Sequence, residues 1–112
     1  MIQMTIVRDR EDRTIQSFTL SGHANADEYG EDIVCAGVSA VAIGTVNAIE
    51  TLCASPLAVE QAGDGGGYLQ GVVPEGWEGR EAEDGQLLLE GMLVAIQGIQ
   101  VSYSDFIQVT ER

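Results

Sequence analysis

The segment that most constrains the fold spans residues 33–54. It is rich in Ala, Val and Ile and contains no proline, so it is too long for a strand and is apolar on nearly every side of a helix. We therefore predict a long helix buried against a sheet, with enough apolar surface left for a second subunit. Polar residues interrupt the segment and argue against a membrane span: Ser39, Thr45, Asn47 and Glu50.

Strand patterns surround this helix. Alternating apolar and polar residues predict strands at residues 1–7 and 15–20. Further strands are predicted at residues 57–61 and 68–73, on either side of a glycine-rich turn, and at residues 106–109. The segment Asp-Gly-Gly-Gly at residues 64–67 is expected to turn a hairpin, because glycine tolerates positive φ. It lacks the terminal Lys-Ser/Thr of a phosphate loop and no helix follows it, which argues against nucleotide binding.

A second helix is predicted at residues 86–104, after a polar loop at residues 74–84. Its apolar side chains recur at helical spacing: Leu89, Met92, Leu93, Ile96, Ile99 and Tyr103. The order ββαββαβ predicts an α+β fold in which two helices pack on one face of a small sheet of about five strands. We expect residues 1–112 to form a single domain.

The charge of the chain restricts its partners. The chain has 5 Lys+Arg, all of them arginine, and 18 Asp+Glu, which gives a net charge of −13. Phosphates are held by Lys and Arg, so nucleic acid is an unsuitable partner. The excess negative charge favours a basic polypeptide partner, although it could also serve solubility alone.

The strongest chemical candidates are Cys35 and His23, the one histidine of the chain. If His23 ends the second strand and Cys35 begins the long helix, the two side chains can meet as a Cys-His dyad. A cysteine in the first helical turn benefits from the positive end of the helix dipole, and free N–H groups there could hold an oxyanion. A buried cysteine and an ordinary Gly-His turn remain the alternative interpretation.

Three residues near this pair have supporting interpretations. Asp32 could cap the helix or orient the imidazolium of His23. Ser39, one turn after Cys35, could contact the substrate or bond back to its own helix. Residues 25–31, which include Gly30, form a candidate mobile cover over bound peptide.

Cys53 serves as an internal comparison. It follows Cys35 by 18 residues, or about 27 Å along a helix, so the two cannot form an intramolecular disulfide or share a metal site. We expect Cys53 to be core packing and expect no metal or cofactor. The absence of signal-peptide features at the N-terminus predicts a cytoplasmic protein with reduced thiols.

A longer pattern carries a family resemblance. Gly-His-Ala at residues 22–24 is followed by Tyr-Gly-Glu-Asp-Ile-Val-Cys-Ala-Gly-Val-Ser-Ala at residues 29–40 and Gly-Thr-Val-Asn-Ala-Ile at residues 44–49. This pattern resembles the ribosomal-processing cysteine proteases, the Prp or YsxB-like family. The resemblance extends more weakly over nearly the whole chain, although the loop at residues 74–84, with Trp77, is longer than is typical of the family.

The resemblance implies a homodimeric bacterial endopeptidase that removes an N-terminal extension from large-subunit ribosomal protein number twenty-seven. It implies Cys35 as the nucleophile, His23 as the general base and acid, and Asp32 as the neighbouring acidic residue. We expect Gly22, Gly30 and Ser39 to contact the substrate. A non-catalytic acidic assembly factor that binds a basic ribosomal protein is the alternative, and it would need no thiol.

Overall fold

The computed structural model describes residues 1–22, 29–62 and 67–112, with the backbone alone for residues 29–32. Its elements are β1 (Ile2–Arg8), β2 (Ile15–Ser21), α1 (Tyr29–Leu52), β3 (Ala58–Gln61), β4 (Tyr68–Val72), α2 (Gly79–Ser102) and β5 (Ile107–Glu111). The predicted α+β class and the order ββαββαβ are confirmed.

The strands form one mixed sheet in the order β3-β4-β2-β1-β5. The neighbours β1 and β2, β2 and β4, and β3 and β4 pair antiparallel, whereas β1 and β5 pair parallel. A parallel pair needs a long connection. The chain between β1 and β5 supplies it, because it contains both helices and the other three strands.

One face of the sheet is buried under the helices. In β1 the buried residues Ile2, Met4 and Ile6 alternate with more exposed ones, as the twofold period of a strand requires. Phe18 of β2 is fully buried and lies over Gly71 of β4, where an added Cβ would collide with the aromatic ring. The opposite face of the sheet carries mostly Gln, Ser and Thr.

Helix α1 packs one face into the core, as predicted, and leaves further apolar surface exposed. Its residues Ile33–Leu52 are long and apolar enough to cross a membrane by length and composition. In the fold this helix has an inner face packed into the core, formed by Val34, Val38, Ala42 and Ile49. Cys35, Val41 and Val46 are partly buried against the core. Ile33 and Ile43 are exposed.

The start of α1 also differs from the prediction. The helix begins at Tyr29, four residues before the predicted start at Ile33. Gly30 is therefore the second helical residue and not part of a loop. Of the predicted mobile cover at residues 25–31, residues 29–31 belong to α1, so that part of the prediction is wrong, while residues 25–28 lie outside the described residues.

Helix α2 begins at Gly79, seven residues before the predicted start at Gln86. The small and acidic residues before Gln86 are typical of a polar loop, which is what the sequence predicts for residues 74–84. Glu78 precedes the helix in an extended conformation, and Glu81 lies in the first turn, where a carboxylate is favoured by the positive end of the helix dipole. Gly85 is buried within α2 because the ring of Trp77 occupies the space that a Cβ would need.

Candidate active site

Cys35 lies at the end of the second turn of α1, as its seventh residue. The prediction that it occupies the first turn is wrong, because α1 starts earlier than expected. In a regular helix the N–H of Cys35 bonds to the carbonyl of Glu31, four residues before it. The free N–H groups of the helix start therefore precede Cys35 and belong to the turn before it.

The half-buried Cys35 opens onto a cavity of about 70 Å³. This volume exceeds the roughly 10–15 Å³ that a single water needs, so the cavity can admit a small chemical group. It lies between α1 and one end of the sheet and is lined by Ile2, Leu20, Gly22, Cys35, Val38, Ser39, Gly67, Tyr68 and Leu69.

The walls of the cavity differ in chemistry. Its apolar floor consists of Ile2, Leu20 and Leu69 from three strands, all at most 9% exposed. Cys35 and Ser39 add a thiol and a hydroxyl from one face of α1. Apolar lining with a few convergent polar groups is typical of a site that binds and orients an organic ligand.

Gly22 forms the edge of the cavity at the end of β2. Its φ is +104°, and an added Cβ would collide with the carbonyl oxygen of Met1. Its N–H donates a hydrogen bond of 3.0 Å to the carbonyl oxygen of Gly67. The backbone that leads into His23 is thus held from two sides, by the first residue of the chain and by the residue that precedes β4.

Solved structures and curated sequences resemble this chain over nearly its full length. The family model described as cysteine protease Prp matches residues 1–108. The ribosomal processing cysteine protease Prp of Bacillus subtilis is 44% identical over 111 residues, 98% of this chain and 96% of that protein. The protein of the same name from Staphylococcus aureus is 35% identical over 97% of both chains.

The fold agrees with these sequence matches. A crystal structure of an essential ribosomal processing protease Prp from Staphylococcus aureus with a substrate peptide matches with a TM-score of 0.86, 32% identity and full coverage of both chains. A second structure of that protease, with a covalently linked product peptide, matches with a TM-score of 0.85 and 34% identity, again over both full chains.

This chain belongs to the cysteine protease Prp family.

Membership in the Prp family makes the chain a cysteine protease. The Staphylococcus aureus relative of the same family has been solved with a covalently linked product peptide. The non-catalytic assembly factor, which would need no thiol, is accordingly disfavoured for a Prp protein.

The structure brings some of the predicted Prp site residues together. Cys35, Ser39 and Gly22 line one cavity, as the interpretation of a shared site requires. His23 lies outside the described residues, directly after Gly22. Asp32 is the fourth residue of α1, so its interpretation as the N-cap is wrong, because an N-cap precedes the first helical residue. Gly30 is the second residue of α1, and it is described through its backbone alone.

Sequence reasoning missed other lining residues of the Prp cavity. The sequence predicts only a strand position for Ile2, a turn position for Gly67 and a strand start for Tyr68. The pairing of Gln3 with Ser21 and of Ser21 with Tyr68 aligns these strand ends beside Cys35. No local pattern could identify them, because the alignment depends on strand register between segments distant in sequence.

Cys53 lies at the other end of α1, and its thiol is free like that of Cys35. It packs against the core, as predicted. Burial raises its pKa, and the nearby carboxylates of Asp84 and Glu81 raise it further. These effects disfavour the thiolate that a nucleophile or metal ligand needs.

Proposed function

We propose that this protease cleaves peptide bonds with Cys35 as its nucleophile and His23 as its general base and acid. The observation that carries the assignment is the cavity shared by Cys35 and Gly22, because His23 directly follows Gly22 in the sequence. Cys53 is the rival thiol. Its raised pKa supports the choice of Cys35.

The proposed reaction has two steps that share one imidazole. His23 takes the proton from the Cys35 thiol, and the thiolate attacks the scissile carbonyl carbon to form a tetrahedral oxyanion. When the carbon–nitrogen bond breaks, His23 donates that proton to the leaving amine, and a thioester to Cys35 remains. Water then attacks the thioester with His23 as the base, which releases the acid product and restores the thiol.

Asp32 and Ser39 have supporting roles in this proposal. Asp32 lies one turn before Cys35 on α1, and we assign it to orient His23 and stabilise its imidazolium form. A carboxylate alone would disfavour the thiolate, so this role depends on the positive charge of His23. Ser39 lines the cavity one turn after Cys35, where its hydroxyl can bond to the substrate, and we assign Gly22 and Gly30 to the substrate backbone.

The proposed substrate is the precursor of a bacterial large-subunit ribosomal protein, number twenty-seven, whose N-terminal extension is removed. Relatives named ribosomal processing proteases support this assignment. The charge of −13 without a lysine supports a basic protein substrate, since long-range attraction speeds their encounter. We propose a cytoplasmic location, where the thiols of Cys35 and Cys53 stay reduced.

We also propose that the protease is a homodimer. The outer helix face is an exposed surface without charged side chains, bordered by Glu50 of α1 and by Arg80 and Glu83 of α2. It consists of Ala36, Ala40, Ile43 and Asn47 of α1 and Leu87, Gly91, Val94, Gly98 and Val101 of α2. Two copies with a charge of −13 each repel one another, so they can associate only through such an uncharged surface. Anionic lipid would be repelled by the same charge.

Incubation with the host's precursor of this ribosomal protein tests the proposal, and mass spectrometry of the new N-terminus reads the product. Cys35→Ala and His23→Ala should each abolish cleavage, while Cys53→Ala, the matched loss of a thiol, should retain it. Cleavage by Cys35→Ala at the rate of the parent chain would contradict the assignment. Cleavage of other proteins but not of this precursor would overturn the substrate and leave the dyad standing.

A further inference from the structure

A second and larger cavity lies at the opposite end of β2 from Cys35. This Trp77 groove has a volume of about 460 Å³ and lies between the start of β2, the end of β4 and the start of α2. Its walls include Asp12, Gln16, Pro74, Glu75, Trp77 and Gln86. The protease reaction as proposed above uses none of these residues.

The indole of Trp77 is held rigidly in the wall of the groove. Its Nε1–H donates a hydrogen bond of 3.0 Å to the carbonyl oxygen of Ser55. Its ring covers Gly85, where no side chain has room. Trp77 is nevertheless only half-buried and lines the groove, so an aromatic surface remains available at a fixed position.

The floor of the groove is fixed as well. The side-chain amide of Gln86 accepts a 2.8 Å hydrogen bond from the N–H of Ile15 and donates one of 2.7 Å to its carbonyl oxygen. Gln86 thereby ties α2 to the first residue of β2 as a neighbouring strand would. A cavity whose walls are held in this way loses little conformational entropy when it binds a ligand.

The charge of the groove selects the class of ligand. Asp12 and Glu75 line it, and no Lys or Arg does among the residues that the structure describes there. The segment 75–84 carries five Asp or Glu residues and one Arg. The turn at 9–13 carries three Asp or Glu residues and two Arg. The Oδ1 of Asp12 already accepts hydrogen bonds from Thr14, so Glu75 is the carboxylate most available to a ligand. A rigid aromatic surface beside these carboxylates favours a cationic side chain, which gains both Coulomb and cation–π attraction.

We infer that the Trp77 groove is an exosite that binds a Lys- or Arg-rich segment of the polypeptide substrate, away from the scissile bond. This inference rests on the proposed function, which supplies a basic polypeptide as substrate. Leu20 lines the cavity at Cys35, and Ile15 lines the Trp77 groove. The two residues are five positions apart on β2, which is about 17 Å at about 3.3 Å per residue. A substrate must therefore extend at least about five residues from the scissile bond to reach the groove.

A binding titration tests the exosite without any cleavage. The full chain with Cys35→Ala is titrated with a blocked hexalysine peptide while the fluorescence of Trp77, the one tryptophan, is recorded. We expect saturable binding that Glu75→Gln weakens about two- to fivefold, the range of a single exposed charge pair. Glu60→Gln removes the same charge on β3 and should leave the affinity unchanged. A blocked hexaglutamate peptide should not bind.

Kinetics of the active enzyme test the same site through the substrate. A long peptide carries Lys and Arg six or more residues from the scissile bond, a second long peptide has Gln in their place, and a short peptide ends before them. Glu75→Gln should raise the KM for the basic long peptide about two- to fivefold relative to the other two, because the lost contact contributes equally to ground state and transition state.

Three outcomes would overturn the exosite. The first is an equal loss of hexalysine affinity in Glu75→Gln and Glu60→Gln, which would indicate general charge attraction. The second is hexalysine binding without a change in Trp77 fluorescence. The third is an equal change of KM for all three peptides in Glu75→Gln. Failure of the proposed function is distinguishable from these outcomes. If no precursor is cleaved but hexalysine binds as expected, the groove stands as a cation-binding site and the substrate assignment falls.

Discussion

The N–H of Gly22 and the carbonyl oxygen of Gly67 are 3.0 Å apart and join the end of β2 to the start of β4 beside Cys35. Both glycines have positive φ, +104° and +85°, a backbone conformation that other residues rarely adopt. The cavity edge next to His23 is therefore built from backbone that only glycine accommodates without strain.

Replacement of Gly22 tests this edge. Gly22→Ala should lower the free energy of unfolding by about 1–3 kcal/mol, because its Cβ would meet the carbonyl oxygen of Met1. Peptide cleavage should fall by more than stability alone explains, since the backbone before His23 is displaced. Urea unfolding and single-turnover cleavage measure the two effects. Gly44→Ala, within α1 and with no heavy atom within 4 Å of the added Cβ, should instead be neutral or stabilising.

Replacement of Gly85 tests a second glycine, which is buried in α2 against the ring of Trp77. Gly85→Ala should push the Trp77 ring out of its place, break its hydrogen bond to Ser55 and cost about 1–3 kcal/mol of stability. Trp77 emission should shift to longer wavelength as the indole becomes more exposed to water. Gly44→Ala in α1, whose added Cβ meets no other part of the fold within 4 Å, should cause neither change. An unshifted spectrum for Gly85→Ala would contradict the packing.

The pairing of Arg8 with Glu90 predicts how stability depends on pH. Arg8 donates hydrogen bonds of 2.6 and 2.8 Å to the two Glu90 oxygens, and these lower the pKa of Glu90 below its usual 4.5. The pair therefore stabilises the fold above about pH 4.5, and this stabilisation disappears as the pH falls through the lowered pKa.

Glu90→Gln should remove this pH-dependent stabilisation. It is expected to cost up to about 1 kcal/mol at pH 7, because the Glu90 side chain is 41% exposed, and to cost progressively less towards pH 3. Urea unfolding from pH 7 to 3 measures it. Glu83→Gln, on the same helix and without an ion pair among the described residues, is the control. A constant difference between Glu90→Gln and the parent at every pH would contradict the prediction.

The outer helix face predicts the effect of charge on association. Val94 is 68% exposed at its centre, and Val94→Glu places a carboxylate where two copies are proposed to meet. We expect a concentration-dependent dimer in the parent chain and a monomer in the variant, measured by sedimentation velocity. Gln108→Glu adds the same charge on β5 of the open sheet face and should leave the dimer intact. Monomeric parent protein at high concentration would refute the homodimer.

The packing of Trp77 on Gly85 is a feature that the sequence does not predict. The order of the elements followed from hydrophobic periodicity, and Cys35 and its surroundings from the spacing of a motif. The residues before Gln86 are typical of a polar loop, so the sequence predicts that α2 starts at Gln86. Only the contact between Trp77 and Gly85 shows that a glycine in this segment is a packing site within a helix that begins at Gly79.

The sequence by itself determined the α+β order, the two apolar helices and the candidate pair of Cys35 and His23, because these depend on local spacing along the chain. Tertiary structure decided which strand ends meet at Cys35, which side of α1 is left exposed, and that a rigid groove forms around Trp77. Those features depend on register and packing between distant segments, and a single residue carries no information about which distant partner it will meet.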